Sequence, residues 1–281
     1  MPADMKTLLG ESDEVLVIGS KLGGLRTGNG RLPLSPPLVQ IDIDPAEIGR
    51  NYPVAVGVVA DARLALDALL EALPDMSDER PSRAHEVATV REALQKRIRH
   101  VFSESVVMLD AVREALPREG VIVADMTMLG YASAEYLPVY KPRTFVHPAE
   151  LCSIGCGLPM AIGARAAALG RPVVALCGDG GFLLNVGELA TAVQEKLDIV
   201  IIVFNDATYT AVKNDQYLHY GRRYIATDLV APDYVALARA FGAEGVHANN
   251  PDELQDTISA AIRRPGTTLI EVPLPSKQWS A

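Results

Sequence analysis

The sequence predicts an α/β protein built on mainly parallel sheets, and three observations lead to this class. Short runs rich in Val and Ile end in Gly or Asp, as buried parallel strands do. Segments with helical spacing of apolar residues lie between these runs. The two patterns alternate along most of the 281 residues, which is typical of strands joined by helical crossovers.

The first part of the chain contains three predicted strands and one predicted helix. The strands are EVLVIG (14–19), LVQIDID (38–44) and VAVGVVAD (54–61), and ARLALDALLEAL (62–73) has helical spacing. The segment PDMSDERPS (74–82) is polar and contains two prolines, so it is the best candidate for a linker.

The second part continues the alternation to the end of the chain. Helices are predicted over 86–101, 103–116, 157–169, 232–242 and 251–264, and strands over 120–126, 171–177, 198–204, 244–248 and 267–273. A further helix is predicted between the strands 171–177 and 198–204, with an apolar face formed by Val186, Leu189, Ala190, Val193 and Leu197.

Composition excludes several classes of protein. A net charge of -9 argues against a nucleic-acid or anionic-membrane surface. No apolar run is long enough to span a membrane, and the first ten residues lack the pattern of a signal peptide. The five histidines are scattered, and Cys152, Cys156 and Cys177 show no metal-type spacing, so we interpret the cysteines as reduced core residues of a cytoplasmic protein.

Acidic residues follow two neighbouring predicted strands where each strand ends. Gly-Asp-Gly follows 171–177, and Asn-Asp follows 198–204. Because the carboxyl ends of parallel strands share one edge, we expect Asp179 and Asp206 to lie close together where ligands of such sheets bind. The turn glycines let backbone N–H groups approach an anion, and paired carboxylates suit Mg²⁺ carrying a diphosphate. These glycines are Gly178, Gly180 and Gly181.

This segment resembles the cofactor motif of the thiamine-diphosphate enzymes of the acetolactate synthase, pyruvate decarboxylase and benzoylformate decarboxylase group. In that motif Gly-Asp-Gly is followed about two dozen residues later by an Asn pair, and here 24 residues separate Gly180 from Asn205. The resemblance implies thiamine diphosphate and Mg²⁺ as cofactors, with Asp179, Asp206 and the carbonyl of Thr208 as metal ligands. The second residue of the pair is Asp instead of Asn, which leaves Asn205 open as an alternative ligand.

The same resemblance implies further cofactor contacts. The segment 150–167 matches the family's stretch that places an apolar wedge under the thiazolium, here Ile154, while the carbonyl of Cys152 accepts from the aminopyrimidine. Thr127 is a candidate hydroxyl donor to the diphosphate, and Tyr209 and Val212 are candidates for the substrate pocket. Packing roles for Ile154 and Tyr209 remain alternatives. The turn residues expected to touch the cofactor are Gly178, Asp179, Gly180, Gly181 and Phe182.

Residues 12–75 resemble the second part of the family's central domain, which leaves nucleotide binding there open. The resemblance implies a partial Rossmann-like central domain at 1–75, a linker and connecting helix at 76–100, and a parallel-sheet diphosphate-binding domain at 101–281.

The family's pyrimidine-binding domain, which carries a glutamate that activates the cofactor, has no counterpart in the sequence. We therefore expect a split 2-oxo acid decarboxylase or carboligase, resembling acetolactate synthase. A partner polypeptide would supply the glutamate in a heterotetramer of two copies of each chain. The alternative is a truncation, or a non-catalytic binding or regulatory relic that keeps the fold.

Overall fold

The computed structural model describes residues 3–34, 37–74, 82–148, 151–167 and 170–275. The chain divides into two compact units, Met1–Arg97 and Ile98–Ala281. Most of the polar segment expected to act as a linker, residues 75–81, lies outside the described residues.

The strands and helices named from the sequence are present with ends that shift by a few residues, apart from the stretch between 171–177 and 198–204, which forms two helices. Residues 168 and 169, the predicted end of the helix 157–169, lie outside the described residues. The strands are β1 Val15–Ile18, β2 Leu38–Asp42, β3 Val56–Val59, β4 Val121–Ala124, β5 Phe145–Val146, β6 Val173–Gly178, β7 Ile199–Asn205, β8 Glu244–His247 and β9 Thr268–Pro273. The helices are α1 Ala3–Gly10, α2 Gly24–Thr27, α3 Ala62–Ala72, α4 Ala84–Val101, α5 Ser103–Ala115, α6 Met128–Tyr136, α7 Gly157–Ala167, α8 Asp179–Leu184, α9 Glu188–Gln194, α10 Thr210–His219, α11 Tyr234–Ala240 and α12 Pro251–Ala261.

The first unit contains a three-stranded parallel sheet in the order β1-β2-β3. One face of the sheet is covered, because Val15, Val17 and Leu38 are buried against loop residues. On the other face, Leu16 and Val56 are exposed beside α3, a helix with no buried residue. The unit therefore presents an open apolar face.

The second unit contains a six-stranded sheet in the order β5-β4-β6-β7-β9-β8, with every pair parallel. Alternate residues of each strand enter two separate cores, one on each face of the sheet. Val174 and Ile202 belong to the core that includes α5 and α12, while Val173 and Ile201 belong to the core that includes α7 and α11. Helices on both faces bury the four inner strands β4, β6, β7 and β9, which explains their nearly continuous apolar runs.

Three details differ from the sequence analysis. The stretch between β6 and β7 forms two helices, α8 and α9, and its buried small residue is Ala192, whereas Ala190 is exposed. Among the cysteines, Cys177 is buried but Cys152 is exposed, so Cys152 is not a core residue. The elements α1, α2, α6, β5 and α10 were not predicted.

Candidate functional site

One cavity at the carboxyl edge of the six-stranded sheet brings together nearly all the residues selected from the sequence. Its volume is about 230 Å³. Strands β6 and β7 pair side by side with Gly178 opposite Phe204, which explains why the residues that follow them meet. The predicted site residues that line the cavity are Thr127, Cys152, Ile154, Gly178, Asp179, Gly180, Gly181, Asp206, Thr208, Tyr209 and Val212.

Asp179 is a buried carboxylate that lacks a full set of partners. Its Oδ1 accepts from the backbone N–H of Gly180 at 2.8 Å, whereas its buried Oδ2 has no hydrogen-bond partner among the described residues. Burial raises the pKa of this carboxyl to about 6, and the negative charge of Asp206 adds to the rise. The backbone N–H groups of Gly180, Ala207 and Thr208 lower the pKa and so oppose this rise. An unpartnered, desolvated carboxylate beside a second carboxylate favours a bound cation.

Asp206 begins the loop that follows β7 and faces the same cavity. Its Oδ2 accepts from the hydroxyl of Thr210, and the carbonyl of Thr208 accepts from the Thr210 N–H at 2.8 Å. The loop is also held from outside, because the N–H of Tyr209 donates to the carbonyl of Thr227 at 2.8 Å. These bonds fix the Asp206 carboxylate and the Thr208 carbonyl.

Asn205 does not line the cavity, in contrast to Asp206. Its Nδ2 donates to Glu271 Oε1 at 2.8 Å, and its Oδ1 accepts from the N–H of Ala207 at 3.1 Å. Both ends of the amide are therefore engaged within the protein. This geometry favours Asp206 over Asn205 as the metal ligand.

The Gly-Asp-Gly turn has no room for a side chain at its second glycine. A Cβ on Gly180 would lie 2.4 Å from Cε1 of Tyr209 and 2.9 Å from Cδ1 of Leu229. Tyr209 therefore packs on this turn as well as lining the cavity. Thr127 lies beside the first glycine, since a Cβ on Gly178 would be 3.2 Å from its Oγ1, and its hydroxyl makes no capping bond to α6.

Ile154 projects from the loop before α7 and remains 42% exposed despite its size. The buried carboxylate of Asp125, at the end of β4, holds this loop by accepting from the N–H of Gly155 at 3.1 Å through both oxygens. The same carboxylate accepts from the N–H of Met126 at 2.7 Å and from the thiol of Cys156 at 3.4 Å. Asp125 was not predicted from the sequence, although a lone Asp directly after an apolar strand was a visible signal.

Phe182 is the predicted site residue that the structure does not bring into the cavity. Its ring is buried in the core beneath the turn and meets the ring of Tyr234 edge-on, with centroids 6.0 Å apart. Its side chain is therefore part of the core that includes α7 and α11.

The cavity suits a hard cation with an attached anion. Among its described lining residues there is no Lys, Arg or His to neutralise Asp179 and Asp206. No cluster of three or more His, Cys, Asp or Glu that could hold a metal occurs in the part of the chain that the structure describes. A cation here would therefore be bound by two carboxylates, backbone carbonyl oxygen and the ligand's own oxygens, a set that Mg²⁺ accepts. No helix within the described ranges is long and apolar enough to cross a membrane.

Two family models match the chain. Residues 125–272 match the C-terminal TPP binding domain of thiamine pyrophosphate enzymes, and residues 3–69 match the central domain of the same enzymes. Thiamine pyrophosphate is another name for thiamine diphosphate.

Similar curated proteins are enzymes with several activities. A probable 2-ketoarginine decarboxylase of Pseudomonas aeruginosa is 34% identical over 94% of this chain and 47% of its own length. A probable acetolactate synthase large subunit of Methanococcus aeolicus is 28% identical over 90% of this chain and 46% of its own length. A sulfoacetaldehyde acetyltransferase of Alcaligenes xylosoxydans xylosoxydans is 26% identical over 94% of this chain and 50% of its own length. The chain thus spans about half the length of these relatives.

Proposed function

This chain belongs to the thiamine pyrophosphate enzyme family, and we propose that it is the diphosphate-binding subunit of a 2-oxo acid decarboxylase or carboligase. The observation that carries the proposal is the meeting of Asp179, Asp206 and Ile154 in one cavity. Thiamine diphosphate, when bound, supplies the nucleophilic carbon that attacks the carbonyl group of a 2-oxo acid.

Asp179, Asp206 and the Thr208 carbonyl would hold Mg²⁺ and, through it, the diphosphate. The unpartnered Oδ2 of Asp179 and the absence of basic residues from the described lining support this assignment. The hydroxyl of Thr127 would donate to the diphosphate, and the backbone of the Gly178–Gly181 turn would approach it closely. The chain would thereby fix the diphosphate end of the cofactor.

Ile154 would support the thiazolium ring and exclude water beneath it. Its exposure supports this role, because an isoleucine that served only the core would be covered. The carbonyl of Cys152 would accept from the aminopyrimidine, and Tyr209 and Val212 would line the substrate pocket.

A second polypeptide would supply the glutamate that activates the cofactor. Asp179 and Asp206 are the only carboxylates among the described lining residues, and the metal would occupy both. The open apolar face of the first unit gives such a partner a surface to cover. We propose two copies of each chain, because the family's active sites come in pairs, and a cytoplasmic location.

The relative named as a probable 2-ketoarginine decarboxylase supports a 2-oxo acid substrate, and the names of the relatives together leave decarboxylation and carboligation both open. Co-purification with the product of the neighbouring gene, followed by assays on a panel of 2-oxo acids with thiamine diphosphate and Mg²⁺, tests the proposal. We expect the complex to release CO₂ or to form a ligated product, and the isolated chain to do neither. Full activity of the isolated chain would refute the split site, and an inactive complex that binds no cofactor would favour the non-catalytic relic.

A further inference from the structure

The side chains of Asn205 and Glu271 form a hydrogen-bonded pair between two neighbouring strands beneath the cavity. Asn205 is the last residue of β7, and Glu271 lies on β9, which pairs with β7 in parallel. Glu271 is only 7% exposed, and its Oε1 accepts from Asn205 Nδ2 at 2.8 Å. Its Oε2 lies 3.4 Å from Nδ1 of His247 on β8. A buried carboxylate that meets an amide donor is stabilised by that bond.

The side-chain amide of Asn205 also forms a hydrogen bond with the loop that carries Asp206. Its Oδ1 accepts from the N–H of Ala207 at 3.1 Å. Ala207 adopts a φ of 52°, a conformation that residues other than glycine rarely occupy, so its backbone needs support from outside. The Asn205 amide therefore acts on the backbone directly after Asp206.

We propose that Asn205 and Glu271 are positioning residues that hold the backbone of residues 205–208 in the conformation that binds the metal and its diphosphate. The inference rests on the proposed function and gives Asn205 a role other than that of a metal ligand. Neither residue lines the cavity, so each acts through Ala207 and Asp206. Partners that orient metal ligands commonly change metal affinity about 10–100-fold when they are replaced.

A pair of reciprocal substitutions tests the bond itself. Asn205→Asp keeps an acceptor for the N–H of Ala207. It also places a second carboxylate against that of Glu271, where the Asn205 amide donates at 2.8 Å in the wild type. Adding Glu271→Gln restores a hydrogen bond of reversed direction, because the glutamine amide donates to the new carboxylate. Glu271→Gln alone keeps an acceptor oxygen for Asn205. Glu244→Gln is the matched control, since Glu244 lies at the other end of β8 and pairs with Arg264 at 3.6 Å.

The first readout is amide hydrogen exchange of the full chain without metal or cofactor. In Asn205→Asp we expect the amides of residues 206–208 to exchange about tenfold faster, as the loss of one buried hydrogen bond would cause, while those of α12 are unchanged. The double variant is expected to return to near the wild-type rate. Unchanged exchange in Asn205→Asp, equal acceleration throughout β7 and β9, or no recovery in the double variant would overturn the inference. If Asn205→Asp does not fold, Asn205→Ala takes its place in the exchange comparison, because it removes both side-chain bonds without adding a charge or a new acceptor.

The second readout is the affinity for thiamine diphosphate in the presence of Mg²⁺, measured by calorimetry. We expect it to fall about 10–100-fold in Asn205→Asp and to recover in the double variant. Glu271→Gln alone and Glu244→Gln are expected to stay near wild type, and a full loss in Glu244→Gln would contradict a local role. If the wild-type complex of the chain with its partner binds no cofactor, the proposed function fails, and the exchange experiment still decides whether Asn205 and Glu271 hold the loop.

Discussion

At the scale of single residues, Asp179 and Asp206 have different surroundings and should respond differently to substitution. Asp179 is buried with an unpartnered oxygen, whereas Asp206 is partly exposed and held by Thr210. Asp179→Ala is expected to abolish Mg²⁺-dependent binding of thiamine diphosphate, because the ion would lose its buried ligand. Asp206→Asn is expected to retain binding, because an amide oxygen can replace the carboxylate oxygen. Calorimetric titration measures both, and unchanged affinity in Asp179→Ala would contradict the assignment.

The same buried carboxylate makes the stability of the metal-free chain depend on pH. Burial raises the pKa of Asp179 from 3.8 to about 6, so between these values the folded chain keeps a proton that the unfolded chain has lost. Its contribution to the free energy of unfolding is therefore greatest below pH 3.8 and is lost as the pH rises through about 6. Asp179→Asn should remove this pH-dependent loss of stability. The free energy of unfolding of the variant, relative to that of the wild type, should therefore rise with pH.

Denaturant unfolding in a chelator, at about pH 4.5 and about pH 7, measures this difference between wild type and Asp179→Asn. The variant is expected to gain stability at the higher pH while failing to bind the cofactor. An equal difference at both pH values would show that the Asp179 carboxyl is not perturbed by folding. Such a stability gain on removing a functional group is typical of sites built for binding a ligand.

At the scale of elements, the turn between β6 and α8 depends on a glycine for space. Gly180→Ala would place a methyl group 2.4 Å from the ring of Tyr209, so the ring and the loop that carries it must move. We expect a loss of about 1–3 kcal/mol in the free energy of unfolding together with weaker cofactor binding. Gly187→Ala is the control, because nothing lies within 4 Å of its added Cβ and its φ of -58° suits alanine. Equal effects of the two substitutions in denaturant melts would refute the steric argument.

The regular elements could be predicted from the sequence because their apolar spacing is long and consistent. The runs that became β6 and β7 are buried on both faces, and parallel pairing then required Asp179 and Asp206 to meet. The elements α6 and α10 were missed because both follow site loops whose polar and small residues obscure helical spacing. Hydrophobicity could not distinguish Ala190 from Ala192, since both are alanines. Which of them is buried depends on the face that α9 turns towards the core.

Within the site, the spacing of the motif predicted the residues that line the cavity. It did not predict the contacts that support those residues. Asp125 and Glu271 hold the two loops of the cavity through bonds that span 30 and 66 residues of sequence. No local pattern encodes such a bond, because it arises only when the sheet order brings distant strands together. The burial of Phe182 could not be predicted for a similar reason, since its ring packs against Tyr234, which is distant in the sequence.

At the scale of the whole molecule, the two units differ in how completely they bury their sheets. The six-stranded sheet is covered by helices on both faces, whereas the three-stranded sheet leaves a groove lined by Leu16, Val56 and Leu64. Leu16 is 43% and Val56 51% exposed. Soluble proteins rarely leave a contiguous apolar face uncovered, so this groove is the surface on which the proposed partner should dock.

A charge in the groove should therefore prevent association without unfolding the chain. Val56→Lys places an ammonium group among apolar side chains that the partner would cover, and an unpaired charge buried at an interface is costly. Because Val56 is half-exposed in the chain, we expect the free energy of unfolding of the chain without its partner to change by no more than about 0.5 kcal/mol. Leu70→Lys is the matched control, since Leu70 is exposed on the adjacent helix α3 but does not line the groove. Co-purification, mass measurement and decarboxylase assays are expected to show loss of the complex only in Val56→Lys, whereas a normal complex in that variant would place the partner elsewhere.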